Sequence, residues 1–393
     1  MTTRIESSAA KHSQHKSVAA SIDPSQVRDR VRRAVERLSE RGADGLLLFT
    51  PANILGFSGV PLGPSDRLVC AMVNKAGDVV LVCPAFEAPN SRDLPPQTQA
   101  EVWAEDDDAF GAVAKAANRL GIAGGVVLLD PNVWISARRA LSEALPRVQW
   151  REDDGVIRGV RMIKTAAECD AIGRACRAVG RIFGEVASRL HAGVREIDLA
   201  RQAASALGNG VTDLPLVQFG PNAALPHGPA GARELADGDS VVVDFVQVVD
   251  GYHGDMTRTF VLGAPGDRMR SAYHAVRKAQ RAAKSACRPG APCGTVDRAA
   301  RDVIVAAGFG RYFVHRLGHG IGLDCHEPPY LVSGNRRLLE PGMCVTIEPG
   351  IYVPGQFGIR IEDVVVITGD GHRLLSEGVG TDVSPEFADE PAA

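Results

Sequence analysis

Apolar residues in the first third of the chain follow two alternating spacings. After Asp23-Pro24, a pair suited to a helix start, apolar side chains recur at the helical period from Val27 to Leu38, and Gly42 is placed to end the helix. Apolar runs between turn residues predict strands at 45–50, 68–74, 79–83 and 125–130, and helical spacing predicts helices at 108–120 and 136–145. This alternation is typical of an α/β layer domain.

The pattern changes after a polar segment, 151–164, which marks the expected domain boundary. Thr165 and Glu168 have the spacing of a capping box, and the long amphipathic helix that follows them is expected to end near residue 193. Further helices are predicted at 197–207, 268–287 and 296–307, the last with Thr295 as N-cap, and strands at 343–348 and 358–368. This order suggests a second domain built from two similar halves.

The stretch 241–260, VVVDFVQVVDGYHGDMTRTF, predicts a β-hairpin. Two runs rich in Val, Phe and Thr are joined through Asp250-Gly251, a pair suited to a type I′ turn. With these two residues as the loop, the two strands can pair in only one register.

In this register Asp244 lies opposite Thr257 and Asp255 lies opposite Val246, so all four side chains share one face. The two aspartates are then diagonal neighbours about 7–8 Å apart. A carboxylate in an apolar strand is costly to bury unless it is paired or bound to a cation. A cation between the aspartates is the simplest explanation, and a pair of strand-end aspartates that bond to loops is the alternative.

Composition contributes mainly by exclusion. The 393 residues are 45% hydrophobic and 23% charged with a formal net charge of −3, so the length suits two domains and a nucleic-acid partner gains no electrostatic support. No apolar run approaches the roughly 20 residues needed to cross a membrane. The start, residues 1–22, lacks the apolar core of a secretory signal and predicts a disordered tail, with a cleaved organelle-targeting peptide as the alternative.

The eight cysteines are scattered and form no CxxC pair. Most stand in apolar contexts, which predicts reduced, packed thiols in a cytoplasmic protein rather than a disulfide framework or a zinc–thiolate site. Cys325 is interpreted in the same way, as a small hydrophobic side chain.

Histidines cluster in the second half, where six of the ten lie between 227 and 326. His315 and His319 are four residues apart, but the glycines at 318, 320 and 322 disfavour a helix, and the HExxH glutamate is absent. The segment therefore predicts a glycine-rich loop or sheet edge close to a site. Taken singly, a histidine is more often a hydrogen-bonded structural residue than a ligand.

Two glutamates extend this set. Glu348 follows an apolar strand in VTIEPGIY, and Glu362 stands in the apolar run GIRIEDVVVI, with Arg360 two residues before it on the same face. A buried Arg–Glu pair would explain that run alone, but not the aspartates at 244 and 255 in apolar strands. Four carboxylates and one imidazole suit two hard-to-borderline divalent ions about 3.5–4 Å apart better than a single zinc.

Five separated motifs resemble those of the pita-bread metallopeptidases, the family of Xaa-Pro dipeptidase (prolidase), aminopeptidase P and methionine aminopeptidase. In the family's order, across about 222–368, they are PNAALPHG, VVVDF…DGYHGDMTRTF, HRLGHGIGLDCHEPP, EPGMCVTIEPGIY and FGIRIEDVVVIT. The N-terminal part is similar to the creatinase-type domain of prolidase and aminopeptidase P. The resemblance implies an α+β protein, with a creatinase-like α/β domain at 23–155 and a pseudo-twofold pita-bread catalytic domain at 160–385.

The resemblance also implies a ligand set for two divalent metal ions. Asp244 would bind one ion, and His319 with Glu348 the other. Asp255 and Glu362 would bridge both. The expected metal is Mn²⁺, with Co²⁺, Zn²⁺ or Fe²⁺ as alternatives.

Further site residues follow from the same resemblance. His227 matches a histidine that lines the substrate site and helps to handle the leaving nitrogen, and His326 matches one that hydrogen-bonds the substrate carbonyl. His315 matches a histidine on the proline side of the cleft, and Arg360 would orient carboxylates. Val246 departs from the family, which usually has a small residue there, so a narrower pocket is expected.

The expected function is hydrolysis of the Xaa-Pro bond at the N-terminus of dipeptides or short peptides, with Glu348 as the catalytic base. A homodimer or higher homo-oligomer is expected in the cytoplasm, with no nucleic-acid or membrane partner. A creatinase-like hydrolase or lyase acting on a small non-peptide metabolite is the alternative within the family. A non-catalytic binding module on the same fold is a third hypothesis, disfavoured because every ligand is present.

Overall fold

A computed structural model describes residues 22–89, 94–153, 155–208, 214–378 and 387. The tail predicted at 1–22 lies outside these residues except for Ile22, which is buried at 4% exposure and so belongs to the folded part. Within the described residues, no helix is long and apolar enough to cross a membrane.

The N-terminal part is a mixed sheet covered by helices. Its six strands have the order β4-β3-β2-β1-β5-β6, in which β1 pairs parallel with β5 and antiparallel with β2. The elements are α1 Pro24–Glu40, β1 Gly45–Leu48, α2 Pro51–Ser58, β2 Cys70–Asn74, β3 Val79–Pro84, β4 Thr98–Trp103, α3 Ala109–Arg119, β5 Val126–Leu129, α4 Ile135–Ala144 and β6 Gln149–Glu152.

The apolar pattern predicted the inner strands and the amphipathic helices of this layer, including the Asp23 cap of α1. It missed α2, whose eight residues are apolar on nearly every side and carry no helical stripe. It also missed β4 and β6, which are the two edge strands and are largely polar and exposed. An edge strand needs no apolar face of its own, so its sequence carries little signal.

The predicted polar boundary at 151–164 is more ordered than expected. It contains the end of β6 and a short helix, α5 (Val156–Met162), whose apolar residues are buried. An isolated bridge between Ile163 and Met343 then joins this segment to a later strand. The link between the two parts is therefore packed structure.

The second part contains three sheets among the described residues, β7-β8-β9, β11-β10-β12-β15-β16 and β13-β14. Its elements are α6 Ala166–Ala187, α7 Glu196–Leu207, β7 Leu216–Phe219, β8 Ser240–Val249, β9 Tyr252–Val261, α8 Asp267–Ala286, α9 Cys293–Ala306, β10 Gly318–Gly320, β11 Glu327–Leu331, β12 Cys344–Ile347, β13 Gly350–Val353, β14 Phe357–Arg360, β15 Asp363–Ile367 and β16 His372–Leu374, with 3₁₀ turns at Gly220–Ala224 and Gly310–Tyr312.

Three predictions about this part need correction. The helix that starts at the Thr165–Glu168 capping box, which is present, ends at Ala187 rather than near residue 193. The last long helix begins at Cys293 with Pro292 in the N-cap position, so Thr295, the predicted N-cap, lies inside its first turn. The strand predicted at 358–368 is two strands, β14 and β15, which lie in different sheets and leave Glu362 between them.

Helix α6 lies directly on the β8–β9 hairpin and covers its inner face. Gly254 marks the closest approach, because a Cβ atom there would lie 2.4 Å from the backbone nitrogen of Cys176. Helices α8 and α9 pack against each other, and their buried apolar side chains form one cluster with side chains of β12 and β15. The strands that carry the predicted ligands therefore meet between two helical layers.

Candidate metal centre

The β8–β9 hairpin has the predicted register. Asp244 pairs with Thr257 and Val246 pairs with Asp255. The turn is Asp250-Gly251, with φ of 50° and 80°, as a type I′ turn requires. Local turn chemistry thus places two carboxylates on one face of the hairpin.

The remaining three predicted ligands come from the neighbouring sheet. His319 is the middle residue of β10, which pairs with β12 through Gly320 and Val345. Glu348 directly follows β12, and the pairing of Ile347 with Asp363 brings it beside Glu362. The backbone nitrogen of Glu362 donates to the carbonyl of Thr257 over 3.1 Å, which joins this sheet to the hairpin.

These five side chains form two groups that share one residue. One oxygen each from Asp244, Asp255 and Glu362 lie within 4.8 Å of one another, and so do donor atoms of His319, Glu348 and Glu362. His319 Nε2 is 3.2 Å from Glu348 Oε1 and 3.9 Å from Asp255 Oδ2. The five residues predicted from the motifs therefore converge.

The charges of these groups are strongly coupled. Burial and the neighbouring Asp244 raise the pKa of Asp255 to about 8, and burial with Asp255 raises the pKa of Glu362 well above its usual range. Burial alone would raise the pKa of Glu348, but the hydrogen bond to His319 and the charges of His319, His315 and Arg360 together outweigh it and lower the Glu348 pKa to about 2. Without a cation, this much negative charge can be buried only by protonating part of it.

Two buried oxygens provide the test of fit for metal ions. Asp255 Oδ1 and Glu362 Oε1 are buried and have no hydrogen-bond partner. A buried carboxylate oxygen without a donor is costly, whereas a divalent ion would satisfy it. Carboxylates with a single imidazole are the donors that borderline and hard divalent ions accept. The residues therefore fit divalent metal ions.

Arg360 connects the metal-side carboxylates to the rest of the cleft. Its Nη2 donates to Asp244 Oδ2 over 2.7 Å, and its Nε donates to Thr257 Oγ1 over 3.1 Å. Thr257 in turn donates to Glu362 Oε2 over 2.7 Å. The third branch, Nη1, donates to the hydroxyl of Tyr352 over 2.8 Å. One guanidinium thus orients two carboxylates, one of them through Thr257.

The three other predicted histidines lie on two sides of these carboxylates. His315 Nε2 is 2.9 Å from the Tyr352 hydroxyl, and burial lowers the pKa of this imidazole. His227 is exposed, and the carbonyl of the preceding Pro226 accepts from Arg360 Nη1 over 3.2 Å. The ring of His326 lies 4.2 Å from that of His319, and burial together with His319 lowers the His326 pKa to about 4. His326 is therefore neutral at pH 7.

The interpretation of Cys325 as a packed hydrophobic residue was wrong. All eight cysteines are free thiols, and seven are buried as expected, but Cys325 is half-buried and donates to Asp255 Oδ2 over 3.2 Å. The thiol's position beside an aspartate 70 residues away depends on tertiary folding.

Sequence reasoning also missed an ionic cluster that supports the His326 segment. The carboxylate of Glu327, next to His326, is paired with Arg161 and, over 2.6 Å, with Lys164. Arg161 also donates to Asn53 Oδ1 over 2.7 Å, so α5 links α2 of the N-terminal part to the segment that contains His326 and Glu327. The sequence carries little signal for this cluster, because Arg161 and Lys164 are two of four basic residues in the polar 151–164 segment.

The fold and this donor set are those of a metallopeptidase. The chain belongs to metallopeptidase family M24, whose model matches residues 170–369, and the creatinase/prolidase N-terminal domain model matches residues 30–163. This confirms the expected α+β architecture, a creatinase-type domain followed by a pita-bread catalytic domain, and the expectation of divalent metal ions.

Relatives and solved structures agree with this assignment. A probable dipeptidase PepE from Mycobacterium tuberculosis is 37% identical over 86% of this chain and 91% of the relative. The crystal structure of a dipeptidase from Pyrococcus horikoshii matches with a TM-score of 0.82 and 32% identity, over 90% of this chain and 99% of that one. An Xaa-Pro dipeptidase from Bacillus anthracis matches with a TM-score of 0.80 and 28% identity, over 90% and 98%.

Proposed function

We propose that this protein hydrolyses the bond between an N-terminal residue and a following proline in dipeptides or short peptides, using two divalent ions. The observation that carries the proposal is the convergence of five donors in two groups that share Glu362, with two buried oxygens lacking any partner. The solved Xaa-Pro dipeptidase that shares this fold supports the choice of substrate.

The proposed ligands are Asp244 for one ion, His319 and Glu348 for the other, and Asp255 with Glu362 for both. When bound, such ions supply an activated water and polarise the scissile carbonyl. Glu348 is the proposed proton acceptor, because its carboxylate lies in one donor group with His319 and Glu362, where an activated water would be held. The neutral imidazole of His326 would donate a hydrogen bond to the oxygen that becomes negative in the transition state.

The side of the cleft that holds His315, Tyr352 and Arg360 is the proposed proline site. The proline nitrogen of an Xaa-Pro bond carries no hydrogen, so it leaves only after it is protonated. His227, exposed beside this cluster, is the proposed proton carrier, acting directly or through a water.

We further propose Mn²⁺ as the metal, a cytoplasmic location, a homodimer or higher homo-oligomer, and domain limits at 23–155 and 160–385. A carboxylate-rich site with one imidazole supports Mn²⁺ over softer ions. Seven buried free thiols support a reducing compartment. Metal analysis of the purified protein and light scattering in solution test the metal and the oligomer.

The decisive experiment measures hydrolysis of Gly-Pro, Gly-Pro-Pro and Gly-Leu by chelated protein and after addition of Mn²⁺. We expect metal-dependent cleavage of one or both proline peptides and much weaker cleavage of Gly-Leu. Cleavage of Gly-Pro alone would indicate a dipeptidase, and cleavage of Gly-Pro-Pro an aminopeptidase. No turnover of any Xaa-Pro peptide would refute the proposal.

The matched variants are Asp255→Asn and Asp170→Asn. The first keeps the shape of the side chain but removes a shared charged ligand, so metal binding and cleavage should both be lost. Asp170 is exposed on α6, and its variant should behave as the unchanged protein. Full activity of Asp255→Asn would contradict the assigned ligand set.

A further inference from the structure

A fully buried glutamate lies away from the metal centre at the start of α7. Glu196 has 0% exposure, and its carboxylate accepts hydrogen bonds at both oxygens. Oε1 accepts from the backbone nitrogen of Phe219 over 2.8 Å, and Oε2 accepts from the backbone nitrogen of Gly231 over 2.9 Å. The side-chain nitrogen of Asn222 lies 3.1 and 3.2 Å from the two oxygens.

These donors are the two ends and one inner residue of a single loop, 219–231. Oε1 bonds the first residue of the loop and Oε2 bonds the last, so the side chain of Glu196 connects the two ends. A backbone hydrogen bond also joins the start of α7 to the end of the loop, since the nitrogen of Ile197 donates to the carbonyl of Gly231 over 2.9 Å. Bonds between a carboxylate and backbone N–H groups are stronger than neutral ones.

Two further contacts fix the loop between its ends. Gln218, which is 1% exposed, donates to the carbonyls of Asn222 and Leu225 over 3.0 and 2.7 Å. The 3₁₀ turn of the loop also packs on β14, where a Cβ atom on Gly358 would lie 1.7 Å from the carbonyl oxygen of Ala223. The loop can therefore sit in only one place against the sheet.

His227 stands in the middle of this loop, one residue after the Pro226 carbonyl that Arg360 holds. Its imidazole is exposed, so the backbone of the loop sets where the ring can reach. The geometry points to Glu196 as the residue that positions His227 over the proline side of the cleft. This inference rests on the proposed function, in which His227 delivers a proton to the leaving nitrogen.

The test compares Glu196→Gln with the unchanged protein. Glutamine keeps the size but offers one acceptor oxygen, and its amide N–H₂ would face a backbone N–H at one end of the loop. We expect kcat for Gly-Pro to fall by about 10–100-fold, because a shift of about 1 Å in a reacting group costs that much. KM and the bound metal should change less than twofold. Glu185→Gln, at an exposed position on α6, is the control that should change nothing.

Two measurements distinguish a role of Glu196 in positioning His227 from a general effect on the stability of the protein. In a His227→Ala background, Glu196→Gln should lower kcat by less than twofold, since the group it positions is already gone. Hydrogen exchange at the amides of 219–231 should be at least tenfold faster in Glu196→Gln and unchanged elsewhere. Additive losses in the double variant, or unchanged exchange in this loop, would overturn the inference.

The exchange measurement does not depend on peptide hydrolysis. If the unchanged protein cleaves no Xaa-Pro peptide, the proposed function fails by itself. The positioning of the loop by Glu196 is then supported by faster exchange and refuted by unchanged exchange.

Discussion

Arg360 donates a hydrogen bond to Asp244 over 2.7 Å, and both side chains stand at the point where the hairpin meets β14. The side chain of Arg360 is almost completely buried, and that of Asp244 is 21% exposed. The Arg360 guanidinium also donates to Thr257 and Tyr352, so one residue contacts both the proposed metal site and the proposed proline site.

Replacing Arg360 with lysine should therefore weaken both metal binding and catalysis. A lysine ammonium cannot reproduce the three branches of a guanidinium. We expect metal affinity to fall about 10–100-fold, as is usual for partners that orient ligands, and kcat/KM for Gly-Pro to fall at least as far. Metal titration by calorimetry measures the first effect, and Arg311→Lys, at an exposed position, is the control. Unchanged affinity in Arg360→Lys would contradict the role assigned to this contact.

Asp255 should contribute a loss of stability to the metal-free protein as pH rises from about 4 to about 8. The Asp255 pKa moves from 3.8 to about 8 on folding. Between these values the folded state keeps a proton that the unfolded state has released, so raising the pH favours unfolding. A bound divalent ion replaces that proton, and metal stabilisation should grow over the same range.

Melting temperatures in chelator and in Mn²⁺, measured from pH 5 to pH 9, test this. Asp255→Asn removes the titrating group and should flatten part of the decline in the metal-free protein. A metal-free protein whose stability rises steadily from pH 5 to pH 8, with no difference between the variant and the unchanged protein, would show that Asp255 is not protonated at neutral pH.

Val246 should limit the size of the substrate's N-terminal residue. It is half-buried and faces Asp255 across the hairpin, where a β-branched side chain takes up space beside the carboxylates. Val246→Ala should raise kcat/KM for Leu-Pro by about tenfold relative to Gly-Pro, the usual effect of one or two methyl groups in a pocket. Val248→Ala, two residue pairs closer to the turn on the same face, is the matched control. Equal changes for both peptides would place Val246 outside the pocket.

Arg161→Met should loosen the His326 segment and lower stability. Arg161 and Glu327 are 9% and 6% exposed, and removing one partner of such a pair costs about 3–5 kcal/mol because the other charge is left buried. Lys164 still neutralises part of that charge, so the lower end of this range is expected. Urea unfolding measures the loss, and Arg158→Met, exposed on the same helix, is the control. Equal stability of the two variants would contradict a supporting role for the cluster.

Much of the site was predictable because its strongest signals are local. A type I′ turn at Asp250-Gly251 sets the register of β8 and β9, and the register sets which face Asp244 and Asp255 occupy. Glu348 and Glu362 stood out for a related reason, since charged residues in apolar runs need a partner. Inner strands and amphipathic helices were found by the same kind of pattern, whereas polar edge strands and the apolar α2 carry none.

Contacts between distant parts of the chain could be decided only by packing. Glu362 lies between two strands of different sheets because β14 and β15 diverge, and nothing in its apolar run marks that break. Three other contacts depend on which segments meet in space. They are the hydrogen bond from Cys325 to Asp255, the ion pair of Glu327 with Lys164, and the hydrogen bonds of Glu196 to the 219–231 loop. A side chain's neighbours in sequence determine its local conformation, but its partners at a distance exist only once the sheets have assembled around it.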